Sequence, residues 1–344
     1  MTKEFGLLYF YQNMKTKIIK LGLPKGSLNT KDRGNTHQLL ADSGYEIRGY
    51  EPGNESDKNL KILNDPEIEA YLVRPQSAPV ELNKRFLDIA IVGDDWVAEE
   101  SIASSLNNIF KIGDLEYGKT RIVAAVPQNI PIKAFSDFFK EKREKPILCF
   151  TEYINITKDY IMKNEAYISK YGTKNPLVQI RGLIEGKNEM VQIINSDGVT
   201  EGYIAKGADV IVDNSQSGKT LQEYGLKEIE EITRSSAGLY GGPTCKGWKR
   251  KKAEDIFQQL YGAVAARKYF DIKFNVTNNN IEPLKKYLIS EKLCADEPTI
   301  IKGEKYSQVN ILILKEKFPL VLSVLKKDYN ISAIVRNEIK QFVK

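Results

Sequence analysis

The sequence has few histidines and cysteines: its 344 residues include one histidine and three cysteines. The cysteines, Cys149, Cys245 and Cys294, are far apart and form neither a CxxC pair nor an even disulfide framework. We therefore expect a protein of a reducing compartment. The single histidine, His37, lies in an ordinary helix-like stretch, and we expect a structural or surface role for it rather than a catalytic one.

Long apolar runs are also missing. The longest near the start, residues 5–11, is much shorter than a membrane span and lacks the basic segment and cleavage site of a signal peptide. We therefore expect a cytoplasmic protein with no membrane association. Met14 stands just before the first strand-like segment, so residues 1–13 are expected to be an extension outside the fold, or Met14 an alternative start.

A concentrated block of positive charge is absent too. Lysine and arginine number 51 against 45 acidic residues, a net charge of +6, but these charges are spread along the chain with only short clusters such as residues 249–252. The sequence therefore does not indicate a nucleic-acid-binding surface. The charge is typical of a lysine-rich solvated surface, and it is compatible with a partner that carries phosphates.

The chain does contain enough apolar residues for buried cores, since 42% of its residues are hydrophobic and 28% are charged. Its length suits two or three compact units. Short strand-like runs alternate with helix-like stretches, which predicts an α/β fold with largely parallel sheets. Residues 14–122 with 233–267 are predicted to form one lobe and residues 123–232 a second, with a cleft between them.

Residues 268–344 have a different predicted order of elements: strand, helix, strand, strand, helix, strand. In the two helix-like stretches the apolar residues follow helical spacing, and Pro283 and Pro319 stand near the helix starts, where proline is tolerated. This βαββαβ order predicts a ferredoxin-like domain. The order alone indicates no ligand.

The most informative stretch is VIVDNSQSGKTL at residues 210–221, where an apolar strand runs into Asp213 and then into a loop of small residues. Backbone N–H groups in such a loop and at the following helix start favour an anion, so the loop predicts a phosphate site. The Asp213 carboxylate is suited to accept hydrogen bonds from the two hydroxyls of a ribose. The alternative is an ordinary strand-to-helix turn whose residues serve only turn and cap propensities.

Short motifs from Lys17 onward resemble, in the same order, those of the long-form ATP phosphoribosyltransferase family. In the loop, residues 213–221 have the register of that family's D-L-V-S-T-G-T-T-L. Each motif is weak alone, and their common order makes the resemblance strong. The other matching segments are residues 23–26 (LPKG), 72–76 (LVRPQ), 88–96 (DIAIVGDDW), 116–121 (EYGKTR), 151–157 (TEYINIT), 198–201 (GVTE) and 225–229 (GLKEI).

The resemblance implies the first reaction of histidine biosynthesis. In that reaction N1 of the ATP adenine displaces pyrophosphate from C1 of phosphoribosyl pyrophosphate (PRPP), with Mg²⁺ held mainly by the donor's phosphates. Because positive charge develops at the ribosyl carbon, positioning and electrostatics matter more than a strong base, and no residue is assigned as acid or base. The implied catalytic part has two lobes that resemble those of periplasmic binding proteins.

The same resemblance assigns residues to the two substrates, while the protein ligands of the metal stay unknown. The residues expected to bind PRPP are Glu201, Asp213, Ser215, Ser217, Gly218, Lys219 and Thr220. The residues expected to bind ATP or pyrophosphate are Lys25, Arg74, Asp95, Arg121, Glu152 and Tyr153. A plain surface charge, ion pair or helix cap is the alternative for each member of the second group.

In the long form of the family, a C-terminal domain binds histidine and inhibits the enzyme, and the chains form dimers and hexamers. By resemblance, residues 268–344 are expected to be that domain, histidine an allosteric inhibitor and the protein a homo-oligomer. Some positions differ from the family's pattern: Ser27, Ser77 and Phe86 stand where it usually has Arg, Asp and Gly. These differences concern the expected ATP contacts, whereas the phosphate loop is intact.

Two other functions fit parts of the pattern. A two-lobed solute-binding protein without catalysis has the same alternation of strands and helices, but it needs export. A salvage phosphoribosyltransferase that uses a free base has a similar loop, but such enzymes usually show two adjacent acids where this chain has Asp213 and Asn214.

Overall fold

A computed structural model describes residues 17–30, 34–56, 58–104 and 108–339. The expected extension of residues 1–13 and the alternative start at Met14 lie outside the described residues. The described residues up to 36, together with 48–254, form one compact unit, and residues 37–47 with those from 255 onward form a second. In the described part of the chain, no helix has both the length and the apolar character to cross a membrane.

The strands and helices alternate along most of the chain. Up to residue 241 the strands are β1 (Ile19–Pro24), β2 (Asn29–Thr30), β3 (Gly34–Asn35), β4 (Ile47–Arg48), β5 (Lys61–Ile62), β6 (Ile68–Val73), β7 (Ile89–Gly93), β8 (Phe110–Asp114), β9 (Thr120–Pro127), β10 (Ile147–Thr151), β11 (Pro176–Ile180), β12 (Leu183–Glu185), β13 (Asn188–Asn195), β14 (Val210–Ser215), β15 (Leu226–Ser235) and β16 (Ala237–Gly241). The helices are α1 (Thr36–Asp42), α2 (Ala78–Asn83), α3 (Asp94–Ser104), α4 (Asp137–Lys140), α5 (Ile154–Lys163), α6 (Glu165–Tyr171), α7 (Lys219–Glu223) and α8 (Trp248–Ala266), with a 3-10 helix at Thr200–Lys206.

Two mixed sheets form the first unit. The first sheet has the order β6-β1-β7-β16-β8, with parallel pairing of β1 to β6 and β7 and antiparallel pairing of β16 to β7 and β8. The second has the order β12-β11-β13-β10-β14-β9-β15, in which β11, β13, β10 and β14 are parallel. The α/β class is therefore confirmed, with sheets that are mixed rather than largely parallel.

The antiparallel strands at the side of the second sheet have a simple cause. The chain leaves the first sheet after β8, enters the second as β9, and returns through β15 directly into β16. The outgoing strand β9 and the returning strand β15 pair antiparallel, with Thr120 opposite Ser235. The two crossings are also joined to each other, since the Ser236 hydroxyl donates to the Asp114 carboxylate over 2.8 Å. These crossings bring the ends of β9 and β15 to the boundary between the sheets.

Each sheet of the first unit has its own apolar core. In the second sheet, Phe135, Phe138, Phe139 and Tyr167 pack as an aromatic cluster against the buried strands β10 and β14. In the first sheet, every residue of β7 is buried, as expected for a central strand that is covered on both faces. Both sheets are thus firm supports for the loops at their edges.

The second unit contains a four-stranded antiparallel sheet. Its elements are β17 (Tyr269–Thr277), α9 (Ile281–Ser290), β18 (Thr299–Ile301), β19 (Tyr306–Leu314), α10 (Phe318–Asp328) and β20 (Ser332–Glu338), with short 3-10 turns before both helices. The strand order is β18-β19-β17-β20. Alternate residues of β17 and β19 are buried, and they pack with Leu284 and Leu288 of α9 and with Val321 and Leu325 of α10. The elements follow the βαββαβ order predicted from the sequence.

A buried carboxylate ties β7 to its neighbours. Asp88, 3% exposed, accepts the backbone N–H of Lys20 over 2.8 Å, the Thr244 hydroxyl, and the ammonium of Lys249 over 2.6 Å. A buried charge that meets a cation and several donors is well compensated, and removing it leaves the cation without its counter-charge. Asp88 therefore has a structural role, although it lies within one of the family-like motifs.

We expect Asp88→Ala to lower the free energy of unfolding by about 2 kcal/mol, because the Lys249 ammonium, the Lys20 N–H and the Thr244 hydroxyl lose their acceptor. Urea denaturation followed by circular dichroism measures this change. The matched control is Asp159→Ala, which breaks an exposed pair with Lys163 at 2.7 Å. The control substitution should lower the free energy of unfolding by less than about 0.5 kcal/mol, the usual contribution of an exposed ion pair on a helix. Equal losses in the two variants would contradict the structural role of Asp88.

Candidate functional site

A cavity of about 230 Å³ lies where the edges of the two sheets meet. The first sheet contributes residues that follow β1, β6 and β7, and the second contributes residues at the ends of β10, β14 and β15 and the start of β9. We call this the first cavity. Its lining is Lys25, Ser27, Leu28, Pro75, Gln76, Gly93, Asp95, Trp96, Gly118, Lys119, Thr120, Glu152, Tyr153, Asn214, Gln216 and Ser235.

A second cavity, of about 240 Å³, lies in the second sheet alone and shares Glu152, Asn214 and Gln216 with the first. It is formed by the turn before the 3-10 helix and by the segment that joins β14 to α7. Its lining is Glu152, Gly198, Val199, Thr200, Glu201 and residues 213–221. Because three residues belong to both cavities, the two cavities adjoin each other.

The loop from Ser215 to Thr220, called the 215–220 loop below, follows β14 directly. Gly218 has a φ of 74°, a left-handed conformation that glycine adopts without strain, and it ends the turn just before α7. Its N–H donates to the Ser215 hydroxyl oxygen over 3.1 Å, and that hydroxyl donates to Oε1 of Glu228 over 2.7 Å. The loop is therefore held in shape before any ligand binds.

Three carboxylates, Asp213, Glu152 and Glu201, line the second cavity. Burial, together with the charges of Glu201 and Glu152, raises the pKa of Asp213 to about 7, against the hydrogen bond from the Asn214 N–H at 2.7 Å. Burial also raises the pKa of Glu152, whose Oε1 accepts the Gly198 N–H over 2.9 Å. Acids crowded in this way favour a ligand that donates hydrogen bonds, such as a sugar diol, or one that brings a cation.

Asp95 connects the two sheets at the floor of the first cavity. Its Oδ2 accepts the Tyr153 hydroxyl over 2.8 Å, and its Oδ1 accepts the Ser235 hydroxyl over 2.7 Å. The Tyr153 ring stacks on Trp96 with 4.6 Å between ring centroids. Burial and the neighbouring Asp95 charge raise the pKa of the Tyr153 phenol well above its usual value, so this hydroxyl stays a donor.

One turn further along α3, Glu99 makes a second connection. Its carboxylate accepts the backbone N–H groups of Asn155 and Ile156 over 2.7 and 2.8 Å, and the Asn155 side-chain amide over 2.8 Å. These N–H groups open helix α5, so a residue from the other sheet caps that helix. The cap fixes the turn that carries Glu152 and Tyr153 into the first cavity.

The structure brings most of the predicted residues together. All seven residues expected to bind PRPP line the second cavity, and Lys25, Asp95, Glu152 and Tyr153 line the first. Arg121 lies with Lys119 and Arg234 in a wider, open cavity of about 650 Å³ next to the first. Arg74 is exposed directly after β6, outside the described lining of these three cavities. The predicted residues thus lie in two adjoining cavities, except for Arg121, which lines the open cavity, and Arg74, which lies outside all three.

Some cavity residues were not predicted from the sequence. Asn214, Gln216, Lys119 and Trp96 lie within segments that match the family but were assigned no role, and Ser235 lies outside those segments. Among the described residues, no group of three or more histidine, cysteine or acidic side chains is arranged to hold a metal ion.

Comparison with known proteins gives a consistent result. The ATP phosphoribosyltransferase family model matches residues 74–262. A relative from Thermodesulfovibrio yellowstonii, named ATP phosphoribosyltransferase, is 29% identical over 326 residues, which cover 91% of this chain and 94% of the relative. One of the same name from Chlorobium phaeovibrioides is 26% identical over 90% of this chain and 93% of its own length.

A solved structure is similar in fold. It is a chain of the ATP phosphoribosyl transferase (HisG:HisZ) complex from Thermotoga maritima, with a TM-score of 0.50 and 22% sequence identity. The match covers 72% of this chain and 99% of that one.

The raised pKa of Asp213 predicts a stability change with pH. The unfolded carboxyl titrates at about 4 and the folded one at about 7, so wild type should lose stability as pH rises through this window, relative to the uncharged Asp213→Asn. The two proteins should be similarly stable near pH 4. At pH 8 the variant should be more stable by on the order of 4 kcal/mol, about 1.4 kcal/mol for each unit of pKa difference. Urea titrations at each pH measure the difference, and a gap that does not vary with pH would show that Asp213 titrates normally.

Proposed function

The chain belongs to the ATP phosphoribosyltransferase family, and from this membership and the two adjoining cavities we propose where each substrate binds. The enzyme transfers the phosphoribosyl group of PRPP to N1 of the ATP adenine and releases pyrophosphate. The observation that carries the assignment is that a preformed loop and three carboxylates line the second cavity, which shares residues with the first. The family match spans the 215–220 loop, which favours this reaction over solute binding or base salvage.

PRPP occupies the second cavity in this proposal. The backbone N–H groups and the side chains of Ser217, Lys219 and Thr220 hold the 5′-phosphate, an anion suited to a turn rich in donors. Asp213 and Glu201 accept hydrogen bonds from the ribose hydroxyls. Binding would then supply the donors that the crowded carboxylates need, and it would lower the pKa of Asp213 from its raised value.

ATP occupies the first cavity. Trp96 and Tyr153 offer stacked aromatic surface, and Lys25 offers a cation, next to the carboxylates Asp95 and Glu152. Arg121 and the exposed Arg74 are proposed to face the phosphates of ATP or the departing pyrophosphate. Glu152 and Asn214 line both cavities, so the adenine would meet the ribosyl carbon beside them.

Electrostatics and alignment supply the catalysis in this arrangement. The carboxylates of the second cavity lie where positive charge develops on the ribosyl group, and the closed floor around Asp95 limits water. Glu152 and Glu201 present oxygen ligands of the kind that Mg²⁺ prefers, and they fit a metal shared with the donor's phosphates. When bound, Mg²⁺ neutralises the leaving pyrophosphate. No residue is proposed as a general acid or base.

Asp213→Ala tests the substrate assignment. Pyrophosphate release that requires both ATP and PRPP is expected from wild type, and the variant's KM for PRPP should rise about 10- to 100-fold, because bonds to a charged acceptor are lost. The KM for ATP should change little. The matched control is Asp197→Ala. Asp197 is exposed, precedes the cap of the 3-10 helix by two residues, and pairs with Arg181. An unchanged KM for PRPP in Asp213→Ala would overturn the ribose assignment.

We further propose that residues 268–344 are a ferredoxin-like regulatory domain through which histidine inhibits the enzyme. The support is the βαββαβ order and the antiparallel order β18-β19-β17-β20, a compact sheet with its own core. The catalytic lobes are proposed as residues 14–122 with 233–267, and 123–232. The protein is proposed to act in the cytoplasm as a homo-oligomer, a dimer or a hexamer.

Histidine should inhibit the full-length enzyme. At millimolar L-histidine the initial rate of pyrophosphate release is expected to fall, with D-histidine as the matched control, because an effector that binds one conformational state better shifts the population toward it. A rate that does not change with L-histidine would remove the regulatory proposal and leave the catalytic one in place.

A further inference from the structure

Glu228, on strand β15, is not among the residues assigned to either substrate. We propose that Glu228 is a positioning residue for PRPP: it holds the 215–220 loop in its phosphate-binding shape, and Arg121 neutralises its charge beside the phosphate. This inference rests on the proposed binding of PRPP in the second cavity. It concerns a residue that touches the loop rather than the substrate.

The geometry is a chain of hydrogen bonds that crosses three adjacent strands. Oε1 of Glu228 accepts the Ser215 hydroxyl over 2.7 Å and Nη2 of Arg121 over 3.0 Å, while Oε2 accepts Nη1 of Arg121 over 2.7 Å. Arg121 lies on β9, directly opposite Ser215 of β14, and β9 also pairs with β15. The carboxylate is therefore held by a bidentate pair with Arg121, next to an irregularity in the pairing of β15 with β9 that begins at Glu228.

This arrangement sets the direction of each hydrogen bond in the loop. Burial disfavours the charged form of Glu228, but the bonds from Arg121 and Ser215 outweigh it and hold the pKa of Glu228 below its usual value. An ionised carboxylate is only an acceptor, so the Ser215 hydroxyl must donate to it. The Ser215 oxygen is then free to accept the Gly218 N–H at 3.1 Å, which stabilises the left-handed turn at Gly218.

The charge of Glu228 lies close to the loop. A methyl group on Gly218 would come within 3.0 Å of Oε1 of Glu228. The carboxylate therefore packs against the turn on which the phosphate is proposed to bind. An unpaired anion there would repel a phosphate, and Arg121 removes most of that repulsion by its bidentate contact. Arg121 thus assists PRPP binding through Glu228, in addition to its proposed role toward the phosphates of ATP or the departing pyrophosphate.

Glu228→Gln in the full-length enzyme tests the proposal. A glutamine amide offers one acceptor and one donor, so it cannot hold both Ser215 and the two Arg121 nitrogens. We expect the KM for PRPP to rise about tenfold, with the KM for ATP and kcat within about threefold, as for a lost bond to a charged acceptor. The matched control is Glu231→Gln on the same strand, whose carboxylate lies 3.6 Å from Arg121 and is bonded to Arg234. Its KM for PRPP should stay within about twofold of wild type.

A double-mutant cycle separates positioning from plain stability. Arg121→Met should raise the KM for PRPP more than Glu228→Gln does, because it leaves the carboxylate unpaired, and the Arg121→Met/Glu228→Gln double variant should recover part of the loss. A purely structural pair would change stability in both single variants and leave their KM for PRPP unchanged, and that outcome would overturn the inference. If Glu228→Gln does not fold, a normal KM for PRPP in Arg121→Met overturns it equally. If wild type releases no pyrophosphate from ATP and PRPP, the proposed function itself fails.

Discussion

Two carboxylates one helical turn apart on α3, Asp95 and Glu99, join the two sheets of the first unit. Asp95 binds Tyr153 and Ser235, and Glu99 caps α5, so one short helix of the first sheet fixes both the floor and one wall of the first cavity. Both side chains are buried, and buried charges are tolerated only when every oxygen finds donors in good geometry. The two sheets are therefore joined by hydrogen bonds of fixed length in addition to the stacking of Trp96 on Tyr153.

The two sheets divide the chemical work. The first contributes fixed side chains at the ends of its parallel strands, where α/β proteins commonly bind ligands. The second contributes main-chain groups and short hydroxyls from the 215–220 loop, together with the acids of the second cavity. Glu152 stands between them, because the turn that carries it is capped by Glu99 from the opposite sheet. Substrate alignment then depends on one helix cap as much as on any residue that touches a substrate.

Local patterns in the sequence predicted much of this molecule. The apolar run before Asp213 and the small residues after it predicted a strand and a turn, and the spacing of Leu284 and Leu288 predicted a helix face; both are present. The antiparallel direction of β9 and β15 was missed, because direction depends on where the chain crosses between sheets. Glu228 and Glu99 were missed for a related reason: their partners Arg121 and Asn155 lie 107 and 56 residues away. The family resemblance identified Arg121 as a candidate site residue but did not identify the carboxylate that pairs with it.

The 215–220 loop works mainly through backbone direction, one glycine with a positive φ, and hydroxyl groups that several small residues supply equally well. Its shape also depends on Ser215, which donates to Glu228 and accepts the Gly218 N–H. An exchange of one apolar residue for another in the buried strands β10 and β14 should therefore leave the loop's hydrogen-bond donors in place, as long as the turn keeps its path.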